Sequence, residues 1–217
     1  MSKNFNVTLS GVKISFPVLV EPATEGASKG KYSVQVAFPK DNQNVATMVA
    51  AINNAIQEGV EKDPRFKALA ARPYAPGMSI GKSLFLQDGD FKFSLKGEPI
   101  KSLIGCYFFQ PSSNTPVPCY EKVNGKLKKL EDLSAIYGGD DADVIVTVKP
   151  GVSKEWGIYI GIYLQAVLAH FTGENLSAKG LSDTEVASGF GMEVATDEDT
   201  KAIEGEFAPQ DGFKGWA

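Results

Sequence analysis

Between Tyr137 and Phe171, apolar and polar residues alternate with a period of two on both sides of one turn. That is the spacing of paired strands with one buried face. In the first strand Val144, Val146 and Val148 share a side, opposite Ile145, Thr147 and Lys149. The turn is set at 150–155, where proline and glycine are expected to break the ladder. In the second strand Ile158, Ile160, Ile162, Leu164 and Ala166 face one way, and Tyr159, Gly161, Tyr163 and Gln165 the other.

The same pattern predicts the remaining elements. Val12, Ile14 and Phe16 alternate with Lys13 and Ser15, after a bulge or bend at Gly11 and before Pro17. A polar loop over 21–30 leads to a strand with Tyr32, Val34, Val36 and Phe38 on one face. Val45, Met48, Val49, Ile52, Ile56 and Val60 form the apolar stripe of a helix, with Asp41 as its N-cap. Asp63-Pro64 ends that helix, and a short second one is expected over 65–71. Residues 72–82 read as an irregular loop, and 84–86 as a short strand. Phe91, Phe93 and Leu95 oppose Lys92, Ser94 and Lys96 in a further alternating run. Tyr107 and Phe109 point together, away from Phe108. Asn124-Gly125 marks a hairpin turn within a lysine-rich segment carrying Lys122, Lys126, Lys128 and Lys129. The sum is a mainly β fold: an OB-fold-like barrel with an inserted helix and extended hairpins. It is expected over residues 1–176, followed by an acidic, largely disordered tail over 177–217.

Composition sharpens this picture in three ways. A hydrophobic content of 43% suits a folded protein. No apolar run approaches the ~20 residues that span a bilayer, and the first residues lack the apolar core of a signal peptide. The expectation is therefore a cytoplasmic protein, with Cys106 and Cys119 as reduced thiols and Cys106 buried in a strand. The net charge of −4 hides a division: residues 1–172 hold 19 basic against 16 acidic side chains, and 173–217 hold 3 against 10. A mildly basic body with an acidic tail suits a handler of nucleic acid, though such tails also serve solubility alone. Catalytic motifs are missing. His170 is the one histidine and has no partner at a diagnostic spacing. The carboxylates at 140–143 form a local run, and the pair Asp88/Asp90 lacks the other ligands of a calcium loop. No enzyme, metal or cofactor is expected.

The segments VKISFPVLVEP, YSVQVAFPKDN, GCYFFQPSSNTPVP, YGGDDADVIVTV and GIYIGIYLQAVLAHFTGENL, in that order, resemble the bacteriophage single-stranded DNA-binding proteins with an OB-fold. The resemblance covers roughly residues 7–176. It implies a replication and recombination accessory protein that coats displaced single strands in the host cytoplasm. The blocks mark scaffold rather than contacts, so the candidate site residues rest on face and residue type. For stacking they are Tyr107, Phe109, Trp156, Tyr159 and Tyr163; Gly161 leaves room beside its two tyrosines for a base to lie on a ring. For phosphates they are Lys13, Lys31, Arg72, Lys82, Lys101 and Lys149. Phe213 and Trp216, apolar tips of the acidic tail, are candidates for docking replication proteins. Two other readings fit the same residues: a virion structural or assembly protein, and a mediator that anneals strands.

Overall fold

The fold was obtained as a computed structural model, which describes residues 5–26, 28–80, 83–94, 96–155 and 157–176. These lie within one unit of the chain, Met1–Ser177. The strands are β1 (Phe5–Val18), β2 (Tyr32–Pro39), β3 (Ser79–Ile80), β4 (Ser83–Leu84), β5 (Gln87–Asp88), β6 (Cys106–Phe109), β7 (Ser112–Ser113), β8 (Cys119–Val123), β9 (Lys126–Lys129), β10 (Asp141–Ser153) and β11 (Gly157–Ala169). Helices α1 (Gln43–Lys62) and α2 (Phe66–Ala70) fall between β2 and β3.

One hoop of paired residues shows how the sheet closes. Asn6 of β1 pairs with Thr147 of β10, Thr147 with Tyr163 of β11, and Tyr163 with Ser112 of β7. Ser112 pairs with Ser33 of β2, and Ser33 with Val18, farther along β1. Five strands thus form a ring with β7 and β11 as its parallel pair, and the rest antiparallel. This is the closed barrel with a packed helix that the alternation predicts. Its inside is filled by Leu9, Val12, Ile14, Val34, Val36, Phe38, Val144, Val146 and Val148, all buried. The stripe of α1 packs on the same core through Met48, Ile52 and Ile56.

Bulges decide which residues face in. Val7 and Leu9 point inward, then the β1 register slips and Val12 and Ile14 do so. Gly11 takes φ 60° at that slip, and its amide donates to Asp143 Oδ1 at 2.9 Å. A second slip, between Ser15 and Val18, overturns the expectation for Phe16. Phe16 takes φ 49° and is 69% exposed, not aligned with Val12 and Ile14. In β11 the register slips at Gln165, since Ile145 pairs with Ala166 and Val146 with Leu164. Beyond it Val167 and Ala169 are buried in place of the expected Ala166.

Other boundaries move for local reasons. The β10–β11 ladder continues past Pro150 and Gly151 to Ser153↔Gly157. The described pairing of β1 stops at Val148, so Pro150 has β11 as its one described neighbour. The N-cap of α1 is Asn42, one residue after the expected Asp41, with its side chain accepting the Asn44 amide at 2.8 Å. Cys106 is half-buried, and Cys119 is the buried thiol. The described residues of the run at 91–96 form no regular strand; Phe93 makes one isolated bridge to Pro99.

Candidate nucleic-acid interface

Going around the ring, β1, β2, β6–β7, β11 and β10 neighbour one another in the 1-2-3-5-4 order of an OB barrel. In that architecture oligonucleotides lie across the second and third strands and the 1–2 and 4–5 loops. Here those parts are β2, β6–β7, the loop 19–31 and the turn 153–157.

Residues that face inward on β10 and β11 are even-numbered before the bulge, so Lys149, Tyr159, Gly161 and Tyr163 lie on the outer wall. Each tyrosine ring is laid over a glycine. A Cβ on Gly161 would stand 2.6 Å from Tyr163 Cε2, and one on Gly151 would strike the Tyr159 ring. The two phenols are hydrogen-bonded, and burial first, then Tyr159, holds the Tyr163 hydroxyl above its ordinary pKa. Both rings lie flat against the sheet and are half-buried. Lys149 pairs with Gly161 between them. Lys31 closes the 19–31 loop next to Tyr32, whose partner is Ser113, one residue from the Ser112 that pairs with Tyr163. Lys149, Tyr159 and Tyr163 thus share one stretch of the wall, with Lys31 across β7, on the far side of Tyr163 from Tyr159.

From there the outer face of β7 and β2 is polar. Gln110 Nε2 donates to Ser33 Oγ at 3.2 Å, and Gln35 pairs with Ser15 of β1. At the far end stand Lys13, which pairs with Ala37, and Lys101. Lys101 lines a cleft of about 420 Å³ with Ser15, Phe16, Pro17, Gly138 and Leu176. Lys13 is not free there, since its Nζ holds Asp141 at 2.9 Å.

Three expectations change. Phe109 is 2% exposed and packs edge-on against Phe38, with centroids 6.2 Å apart, so its ring is core and cannot stack on a base. Tyr107 packs against the same core, and Lys40 Nζ sits 5.4 Å from its ring centroid. Arg72 lines a different cleft with Ile56, Leu69, Tyr74, Met78 and Ile80, on the helical side. Lys82, Trp156, Phe213 and Trp216 lie outside the described residues, as does the tail.

The carboxylates serve structure. Lys40 Nζ lies 2.6 Å from both Asp88 Oδ1 and Asp90 Oδ2, so the cation between that pair is an ammonium. Hydrogen bonds to Asp88 and then Asp90 raise the Lys40 pKa. Asp140 accepts the Thr172 amide at 3.1 Å, and Asp143 the Gly11 amide. Among the described residues no cluster of His, Cys, Asp or Glu is placed to hold a metal. No described helix is long and apolar enough to cross a membrane.

Sequence reasoning missed Arg65. It is locked to Asp63 by a two-point fork, 2.9 and 2.7 Å, at the start of α2. One of its terminal nitrogens comes within 3.8 Å of a Cβ built on Gly157, beside the β10–β11 turn. Nothing in the local pattern signals that approach. Phe16 and Phe91 were also missed as exposed rings, because alternation assigned each to a strand face.

A five-strand barrel in this order, with lysines and rings on its outer wall, defines an OB-type protein. The sequence matches the family model of the Enterobacter phage Enc34 ssDNA-binding protein over residues 5–202, and the chain belongs to that family. Among solved structures it is similar to the single-stranded DNA-binding protein from bacteriophage Enc34, at 24% identity and TM-score 0.51. That match covers 83% of this chain and 89% of the other. The same Enc34 protein in complex with ssDNA matches at 25% identity and TM-score 0.51, over 79% and 89% of the two chains. Bacteriophage T7 gp2.5, a single-stranded DNA-binding protein, matches at 17% identity and TM-score 0.54, over 84% and 100%. No curated protein matches the sequence significantly.

Proposed function

We infer that this chain binds single-stranded DNA across the outer wall of its barrel, and that it coats displaced strands during phage replication and recombination. The observation that carries the reading is the Tyr159–Tyr163 pair, each ring backed by a glycine, with Lys149 between them on an OB-type wall. Family membership favours this reading over virion assembly. Stacking on a ring contributes ~1–3 kcal/mol per base with little regard to sequence. Lys31, Lys149 and Lys101 neutralise phosphates in this reading, which releases counterions and makes affinity fall with salt. The role is binding rather than catalysis, in the host cytoplasm. The described carboxylates at 140–143 are engaged in holding backbone and lysine, which leaves them poorly suited to converge on a reacting phosphate.

The acidic tail is a second element of the proposal. The described chain leads into it at Leu176, whose amide donates to Gly138 O at 2.7 Å in the wall of the cleft that holds Lys101. Phe213 and Trp216, at the end of the acidic segment that follows, are candidates for docking replication proteins. The test of the main reading is titration with oligo-dT at several salt concentrations, followed by tyrosine and tryptophan fluorescence. Affinity that falls steeply with salt is expected. Binding that is absent, or weak and indifferent to salt, would overturn it.

A further inference from the structure

Between β5 and β6 the chain makes an arm, residues 89–105, that the barrel does not require. Its root is tightly held. Lys40 bridges Asp88 and Asp90, Asp90 Oδ1 accepts the Gly105 amide at 2.6 Å, and the Lys40 amide donates to Gly105 O at 3.0 Å. Leu103 is buried against Ala37 and Phe108, forming a small second core outside the barrel. A Cβ at Gly89 would collide with Leu103 O, so root and cover are in direct contact.

The outer part of this anchored arm displays rings to solvent. Phe91 is 78% exposed and Phe93 52%. Lys92 and Lys96 stand beside them, also exposed, and Lys92 Nζ lies 5.9 Å from the Phe108 ring centroid. Lys101, in the same arm, borders the cleft that holds the exposed Phe16. The cleft abuts Ser15, the partner of Gln35 on the outer wall of β2. The Ile100 amide donates to Lys92 O at 3.2 Å and Phe93 bridges Pro99, so the segment that carries the rings runs beside Lys101, where the wall ends.

Building on the proposed function, we propose that this arm is a second contact for the same single strand, extending the track beyond the barrel. Phe91 and Phe93 stack on bases, and Lys92, Lys96 and Lys101 meet phosphates. The charge pattern selects nucleic acid over a protein partner. Lysine is depleted in protein–protein interfaces, whereas rings interleaved with cations are what an unpaired strand needs. Lys92, Lys96 and Lys101 against Glu98, with Lys40 shared between Asp88 and Asp90, still leave the arm and its root with a net positive charge.

The experiment uses the full chain and oligo-dT of increasing length, comparing wild type with the Phe91→Ala/Phe93→Ala variant. Both rings are exposed, so an unchanged Tm verifies the fold. On the shortest oligonucleotide that binds, the two proteins agree within about twofold. On longer ones the wild type gains affinity and the variant lags by roughly 30-fold or more. Lys92→Ala/Lys96→Ala lowers the salt slope by about 1.4 on the longer oligonucleotides only. A variant that follows the wild type at every length overturns the proposal. So does a variant that loses self-association in sedimentation while its length profile is unchanged, since the arm would then be a protein contact. If the wild type itself binds no oligonucleotide, the underlying reading falls first.

Discussion

Strands β6 and β11 carry similar sequence patterns and put their rings to opposite uses. In β6, Tyr107 and Phe109 turn toward the barrel interior, and Phe108 turns outward, where the 89–105 arm buries it. In β11, Tyr159 and Tyr163 turn outward and are half-buried. Alternation identified both pairs as sharing a face, but it could not say which face. What decides is the neighbourhood. Phe109 meets Phe38 across β2, while the β11 tyrosines are opposed by Gly151 and Gly161, which a core strand would fill with side chains. A ring over a glycine covers backbone on one side and leaves the other side free.

Four predictions sharpen this contrast, and the largest effect belongs to the buried ring. Phe109→Ala should lower stability by about 3–5 kcal/mol in urea unfolding, while oligonucleotide affinity per folded molecule stays near wild type. A loss of affinity at full folding would return Phe109 to the binding surface. Next, the Tyr159→Ala/Tyr163→Ala variant should reverse the pattern. Affinity for oligo-dT falls by roughly 10- to 100-fold, and urea stability drops by much less than in Phe109→Ala. Third, Gly161→Val should push the Tyr163 ring off the sheet. It weakens oligo-dT binding several-fold, read by fluorescence titration, with the tyrosines themselves intact.

The smallest effect concerns charge. Arg65, by its hydrogen bonds first, holds the Asp63 carboxyl down to about 2. A depressed acid contributes above its ordinary pKa of 3.8 and loses that contribution as pH falls toward 2. Arg65 is exposed and Asp63 half-buried, so solvent still screens the pair. An acid titration of wild type against Asp63→Asn should therefore show a slight stability difference at pH 6 that vanishes near pH 2. A difference that persists at pH 2 would assign the effect to the hydrogen-bonded geometry alone.

Much of the fold was legible because its signals are local. The stripe from Val45 to Val60, the break at Asp63-Pro64, the bulge at Gly11 and the Asn124-Gly125 hairpin each follow from a few adjacent residues. The register slips at Ser15 and Gln165 were not legible, because they are set by neighbouring strands far away in sequence. They turned Phe16 outward and moved Ala166 off the core face. Of the candidate site, Tyr159, Tyr163 and Lys149 come together through pairing that the alternation only implied, and Lys31 stands across β7 from them. Tyr107 and Phe109 were misplaced for want of a parity rule. Arg72 was placed by residue type alone, and the structure sets it among α1, α2 and β3.

The central claim is that bases lie on the outer wall of β11. It is tested most directly by photo-crosslinking an oligo-dT carrying 5-iodo-deoxyuridine and mapping the adducts by mass spectrometry. Adducts at Tyr159 and Tyr163, lost on adding unlabelled single strand, are the predicted result. Adducts confined to the Arg72 cleft on the helical side, with none on β11, would contradict it.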